Sequence, residues 1–208
     1  MKYKTKVCVV SSSRADYNHL YLLLKKLRES KKITLQIVVT GMHLLKKYGH
    51  TYKEIEKDGF KINKKISTYQ KNTKDIEIVN SISRALTGMA SAIKNLKPDI
   101  IIILGDRYDI YPVAIVAHIL QIPLAHVHGG EVTSGSIDDG IRHSITKLAN
   151  IHFVATNLFR NRVIAMGEQK NTVINIGSIG VEGNKNIKNI SKKQVLSKFN
   201  IKKYDNYF

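Results

Sequence analysis

Residues 100–104 read Ile-Ile-Ile-Ile-Leu, with no polar position among them. The run is too short for a helix of its own, and it lacks the alternation of a sheet wetted on one face. It fits a strand buried on both faces, the setting of a parallel sheet covered by helices on either side. Further β-rich runs lie at Lys6–Ser11, Ile33–Thr40, Phe60–Ile66, Pro123–His128, Ile151–Ala155 and Val173–Ile176. Between them the apolar spacing predicts helices over Tyr17–Leu27, His43–Lys57, Asp75–Leu96, Tyr111–Leu120, Asp138–Ala149 and Leu158–Met166. Leu20, Leu23, Leu24 and Leu27 share one face of the first, and Pro98 closes the third. Strands alternating with helices imply βαβ units: an α/β, Rossmann-like parallel sheet flanked by helices.

Composition narrows the classes. With 208 residues and 43% hydrophobic content the chain can bury a core. Its longest apolar run is far below a membrane span, and the Lys-rich start carries no signal-peptide cleavage site. A single cysteine, Cys8, leaves no internal disulfide and suits a cytoplasmic protein. The net charge of +18 suggests an anionic partner, yet the lysines crowd into Lys46–Lys74 and Lys185–Lys203, away from every cluster of chemical interest. No aromatic-interleaved basic stripe accompanies them, so a solvated surface is expected, with neither nucleic acid nor membrane as partner. After Gly183 the chain turns rich in Lys, Asn and Ser, with one helix expected near Lys192–Phe199. The expected division is a domain at 1–183 and a linker or tail at 184–208.

Parallel sheets bind ligands outside the carboxyl ends of their strands, so those ends carry the functional reading. The first delivers Ser11-Ser12-Ser13-Arg14-Ala15-Asp16-Tyr17. This is either an anion cradle at a helix N-terminus, with Arg14 gripping phosphate, or an ordinary cap made by Ser13 or Asp16. No GxGxxG fingerprint or P-loop occurs, which disfavours a dinucleotide cofactor. The fourth strand ends in Gly105-Asp106-Arg107-Tyr108-Asp109, a charged pair beside an apolar run that faces a cleft or closes the strand as an ion pair. The fifth leads into His126-Val127-His128-Gly129-Gly130-Glu131, then Asp138, Asp139, Arg142 and His143. Alternation puts His126 and His128 on one face, and with Glu131 and an aspartate they resemble a mixed metal-ligand set. No HExxH or second histidine pair supports that reading, so no metal is expected. The seventh ends in Gly177-Ser178-Ile179-Gly180. In a lysine-dominated chain, Arg14, Arg107 and Arg142 all fall in these clusters, which suits a phosphorylated ligand and proton-transfer chemistry.

The ordered motifs Ser-Arg-Ala-Asp-Tyr (13–17), Thr-Gly-Met-His (40–43), Gly-Asp-Arg-Tyr-Asp (105–109), His-Val-His-Gly-Gly-Glu-Val-Thr (126–133) and Ile-Asp-Asp-Gly-Ile-Arg-His-Ser-Ile-Thr-Lys (137–147) resemble the hydrolysing UDP-N-acetylglucosamine 2-epimerases. Asn-Ile-Gly-Ser (175–178) extends the likeness, which runs over about residues 5–183. The resemblance implies the N-terminal half of a GT-B fold, a UDP-sugar in the cleft between two halves, and no metal or redox cofactor. It implies anti elimination of UDP to a 2-acetamidoglucal, then hydration to N-acetylmannosamine for sialic-acid synthesis. By motif position Asp106 looks like one catalytic carboxylate and Asp138 or Asp139 like a second. Arg14, Asn18 and Arg107 match positions that contact UDP, and Arg142 is a further substrate-site candidate.

Many relatives carry glutamate where this chain has His128, so Glu131 or His128 is expected to take that acid–base role. The family continues into a second domain, absent from these 208 residues. Little activity is therefore expected of the chain alone, and an exposed cleft wall would favour self-association. Other readings are a diacetylbacillosamine 2-epimerase, a non-hydrolysing epimerase, a glycosyltransferase, or a non-catalytic nucleotide-sugar-binding remnant.

Overall fold

The computed structural model describes residues 3–68, 75–180 and 191–198. The strands are β1 (Thr5–Ser11), β2 (Ile33–Val39), β3 (Lys64–Lys65), β4 (Ile100–Leu104), β5 (Leu124–Val127), β6 (Ile151–Val154) and β7 (Val173–Asn175). They form one sheet in the order β3-β2-β1-β4-β5-β6-β7, and every pairing is parallel. The helices are α1 (Arg14–Glu29), α2 (Tyr52–Lys57), α3 (Asp75–Leu96), α4 (Tyr111–Ile119), α5 (Ile137–Leu148), α6 (Asn157–Ala165) and α7 (Lys192–Lys198).

The central strands are apolar throughout because both of their faces are covered. Val7, Val9, Ile102, Ala125 and Val127 pack with Tyr17, Leu20 and Leu24 of α1 and Ile55 of α2. The alternate residues Cys8, Val10, Ile101, Ile103 and Leu124 pack with Met89 and Ile93 of α3, Val113 and Ala117 of α4 and Ile145 of α5. A smaller cluster of Val154, Val163 and Val173 seats α6 against β6 and β7. The fold is the expected helix-flanked parallel sheet, and no helix among the described residues is long and apolar enough to cross a membrane.

Two expected elements differ. His43–Lys57 is not one helix: 3-10 turns at Gly41–Leu44 and Lys46–Tyr48 precede the short α2. Gly49 and His50, at φ 80 and 51, interrupt it, since a right-handed helix cannot pass through left-handed residues. Of Phe60–Ile66, only Lys64 and Lys65 pair, with Val38 and Val39. Phe60 and Ile66 are buried all the same, so their apolar character reflects packing rather than strand pairing. The expected boundary at residue 183 lies outside the described residues.

Ile103 is fully buried at the sheet centre, whereas Ile119 at the end of α4 is 71% exposed. Ile103→Ala is expected to cost about 2–5 kcal/mol in chemical denaturation, and Ile119→Ala less than about 0.5 kcal/mol. Equal costs would contradict the described packing.

Candidate active site

Strand order reverses between β1 and β4, which are hydrogen-bonded neighbours although β2 and β3 intervene in sequence. The chain leaves β1 into α1 on one face of the sheet, and leaves β4 toward α4 on the other. Loops that part in this way open a crevice at the strands' carboxyl ends.

At β1 the local cap consumes the amides. Asp16 Oδ2 accepts from the backbone N–H of Ser12 and of Ser13, each at 3.0 Å, and from Ser12 Oγ at 2.7 Å. Ser13 Oγ accepts from Asp16 N at 3.3 Å, completing a capping box. Those amides are therefore not free for an anion. Arg14 projects to the surface with Nε 3.5 Å from Glu54 Oε2. Asn18, one turn on, is exposed and has no side-chain partner among the described residues. Beneath the turn, buried His43 joins Ser11 Oγ (2.9 Å from Nε2) to Thr51 Oγ1 (2.8 Å from Nδ1). Burial lowers its pKa to about 4, against the pull of Asp16.

Asp106 and Arg107 do not pair with each other. Arg107 Nη2 lies 3.1 Å from Asp109 Oδ2 and 3.1 Å from Met42 Sδ, which ties the β4 loop to the turn after β2. Asp109 is buried against Gly41, where an added Cβ would fall 2.9 Å from the Asp109 Cγ. Burial pushes the Asp109 carboxyl up while Arg107 draws it back down.

Asp106 instead pairs with Arg142 of α5, whose side chain is only 7% exposed. Arg142 Nη2 also donates to Thr133 Oγ1 at 3.0 Å, and its Nη1 sits 3.7 Å from Asp139 Oδ1. Asp139 Oδ1 accepts from Thr133 N at 2.8 Å. Arg142 is thus a hub joining the ends of β4 and β5 to α5. Ser136, not an aspartate, caps α5 by accepting from Asp138 N at 3.2 Å. The Asp138 carboxylate has no partner among the described residues.

Beyond β5 the two histidines do not share a face. His126 is fully buried on the α5 side, its Nε2 donating to Gly105 O at 2.8 Å and its Nδ1 lying 3.3 Å from Thr146 Oγ1. Burial lowers its pKa to about 4. His128 lies past the strand end at φ 66, and this left-handed residue breaks the alternation. Its ring turns toward His19 of α1, 6.4 Å away between centroids, and its Nδ1 lies 3.1 Å from Glu131 Oε1. The same-face expectation is corrected on that ground. Among the described residues, no three His, Cys, Asp or Glu side chains are grouped as a metal ion would require.

The sheet's carboxyl edge therefore holds three linked groups: Arg107, Asp109 and Met42; Arg142, Asp106, Thr133 and Asp139; and His128, Glu131 and His19. Arg14 and Asn18 stand on the rim, facing α2 and solvent. Sequence reasoning passed over His19 and Arg162, and it held His43 and Thr133 only as members of motifs, with no role of their own. Arg162 donates to Gly130 O and so fixes the glycine turn from α6. Only its being an arginine in a lysine-rich chain hinted at such a role; the other three depend on long-range contacts.

His43 and His126 stay neutral in the fold down to about pH 4, while their unfolded counterparts protonate near 6.5. Their contribution to stability is complete above pH 6.5 and is lost as pH falls toward 4. Two such groups steepen the decline by up to about 2.7 kcal/mol per pH unit. Urea unfolding across this range is expected to show that slope, and His126→Gln about half of it. An unchanged slope would contradict the burial of a neutral His126.

Comparison with known proteins places this geometry. The family model described as UDP-N-acetylglucosamine 2-epimerase matches residues 25–208. The chain is 43% identical over 192 residues to the GDP/UDP-N,N'-diacetylbacillosamine 2-epimerase (hydrolyzing) of Campylobacter jejuni, spanning 92% of this chain and 50% of that one. It is 42% identical to the polysialic acid biosynthesis protein P7 of Escherichia coli, over 85% of this chain and 45% of that one. The crystal structure of UDP-GlcNAc 2-epimerase from Neisseria meningitidis bound to UDP-GlcNAc shares the fold. Its TM-score is 0.78 at 17% identity, covering 95% of this chain and 52% of that one. The chain thus spans about half the length of the relatives it matches. With a parallel α/β sheet, a polar site at its switch point and a match over most of its length, this chain belongs to the UDP-N-acetylglucosamine 2-epimerase family.

Proposed function

We propose that the chain supplies one wall of the active site of a hydrolysing 2-epimerase acting on a UDP-linked 2-acetamido sugar. The observation that carries this is the gathering of Arg107, Arg142, Asp106, Glu131 and His128 at one edge of the sheet. Breaking the C1–O bond to UDP leaves negative charge on a diphosphate, which arginine's planar fork can meet. Removing the C2 proton needs a positioned base. The electron pair of the C2–H bond forms the C1=C2 double bond as UDP departs with the pair of the C1–O bond. Water then adds across the double bond, its hydroxyl to C1 and a proton to the opposite face of C2. The free sugar leaves with inverted C2: N-acetylmannosamine when the substrate is UDP-N-acetylglucosamine.

In this proposal Arg14, Asn18 and Arg107 face the UDP moiety, and Arg142 holds Asp106 toward the sugar. Asp138 has no partner among the described residues, which suits a group that must exchange protons. Asp139 is engaged with Thr133 and His143, which suits positioning. The Campylobacter relative favours a diacetamido sugar as substrate, while the Neisseria relatives favour N-acetylglucosamine. We propose the 1–183 segment as the sugar-side domain of a GT-B cleft, working in the cytoplasm without metal or redox cofactor.

A chimera in which this chain replaces the matching half of the Campylobacter relative tests the proposal. In deuterated water it is expected to release UDP and a free sugar bearing one deuterium at C2, and Asp106→Asn is expected to slow it at least about 100-fold. Recovery of an intact UDP-sugar with inverted C2 would instead indicate a non-hydrolysing epimerase. Transfer to an acceptor would indicate a glycosyltransferase.

A further inference from the structure

The histidine at the end of β5 has an unusual setting. A non-glycine residue at φ 66 is strained by about 1 kcal/mol or more, and Gly129 and Gly130 directly follow it. The turn is clamped on both sides. His128 N donates to Phe153 O at 2.8 Å, and Arg162 donates to Gly130 O. A Cβ on Gly130 would fall 2.6 Å from Phe159 O, so the loop cannot relax toward α6. The clamp fixes where the imidazole points.

Glu131 decides the tautomer. Its carboxylate only accepts, so Nδ1 of His128, 3.1 Å away, carries the hydrogen. In the neutral ring Nε2 is then a bare lone pair, and that atom is buried with no hydrogen-bond partner among the described residues. Leaving a buried acceptor unmade costs about 1–3 kcal/mol, and this lone pair is open to a proton brought by a ligand. Facing the ring is His19, an exposed side chain with no hydrogen-bond partner among the described residues. A Cβ on Gly180 would lie 2.9 Å from the His19 ring, so the chain after β7 rests on it.

Resting on the epimerase reading, we infer that His128 is the group that takes the C2 proton, through Nε2. Glu131 holds its Nδ1–H, and His19 stands across from it as a positioning residue. The C2–H bond breaks, its proton goes to Nε2, and the resulting imidazolium is balanced by Glu131. The electrostatics suit a base that stays unprotonated. Burial lowers the His128 pKa, Glu131 raises it and His19 lowers it. Of the other charged or titratable groups nearby, buried His126 stays neutral down to about pH 4, and Arg162 is held at Gly130 O.

Histidine-selective nitrogen NMR on the chain reads the tautomer directly. His128 is expected to be the Nδ1–H form, titrating below the ordinary histidine range. His19→Gln is expected to move that titration up by about half a pH unit. An Nε2–H tautomer would overturn the inference while leaving the epimerase reading untouched. In the Campylobacter chimera, His128→Gln is expected to cut C2 deuterium exchange at least about 100-fold, and Glu131→Gln only about tenfold. His19→Gln is expected to shift the acidic limb of the pH profile upward with the NMR titration. A larger loss in Glu131→Gln than in His128→Gln would make the carboxylate the base. A chimera inactive with all native residues would instead overturn the epimerase reading, and the proton role with it.

Discussion

The reversal of strand order between β1 and β4 is the constraint from which the candidate site follows. Had β4 continued outward from β2, the loops after β1 and β4 would cover the same face and leave no crevice. Here they part, and the β4 loop reaches the turn after β2 through Arg107 and α5 through Asp106. The apolar run at 100–104 makes this possible, because a strand flanked on both sides and both faces cannot be polar.

Around that crevice the fold resolves part of its charge by pairing across elements as well as along the chain. Asp106 and Arg107 are neighbours in sequence, yet one reaches α5 and the other turns back to Asp109 and Met42. Asp106–Arg142 and Arg107–Met42 join segments that follow different strands, whereas Arg107–Asp109 closes within the β4 loop. Removing Arg142 would leave Asp106 without its cation and take one of Asp139's contacts, so the hub serves the architecture as much as any ligand. Among the described residues the Asp138 carboxylate and the His128 Nε2 escape this economy, while Arg14 on the rim meets only the exposed Glu54. Groups left uncommitted in a site otherwise closed by its own contacts are the ones available to a substrate.

The sheet, its parallel sense and most helices were legible because they follow from local periodicity. Asp75–Leu96 and Ile100–Leu104 match the sequence reading residue for residue. The misreadings share one cause. At Gly49, His50 and His128 the backbone enters the left-handed region, and apolar spacing carries no information about the sign of φ. The helix over His43–Lys57 and the shared face of His126 and His128 both failed there. Within the site, sequence placed residues at strand ends but could not pair them. Nothing local says that Asp106 should meet Arg142 36 positions later. The serine-rich first turn was open between cradle and cap, and only the convergence of Ser12 and Ser13 on Asp16 decides for the cap.

The central claim is that this edge of the sheet is where a UDP-sugar lies. Titrating UDP-N-acetylglucosamine into the nitrogen-labelled chain and mapping the amide shifts tests it directly. The account predicts changes confined to the loops at 12–18, 40–43, 105–109 and 128–139. A competing depression at the opposite edge is lined by Ala90, Lys94, Lys97, Pro98, Leu120 and Ile122. Shifts concentrated there, with the carboxyl edge silent, would contradict it.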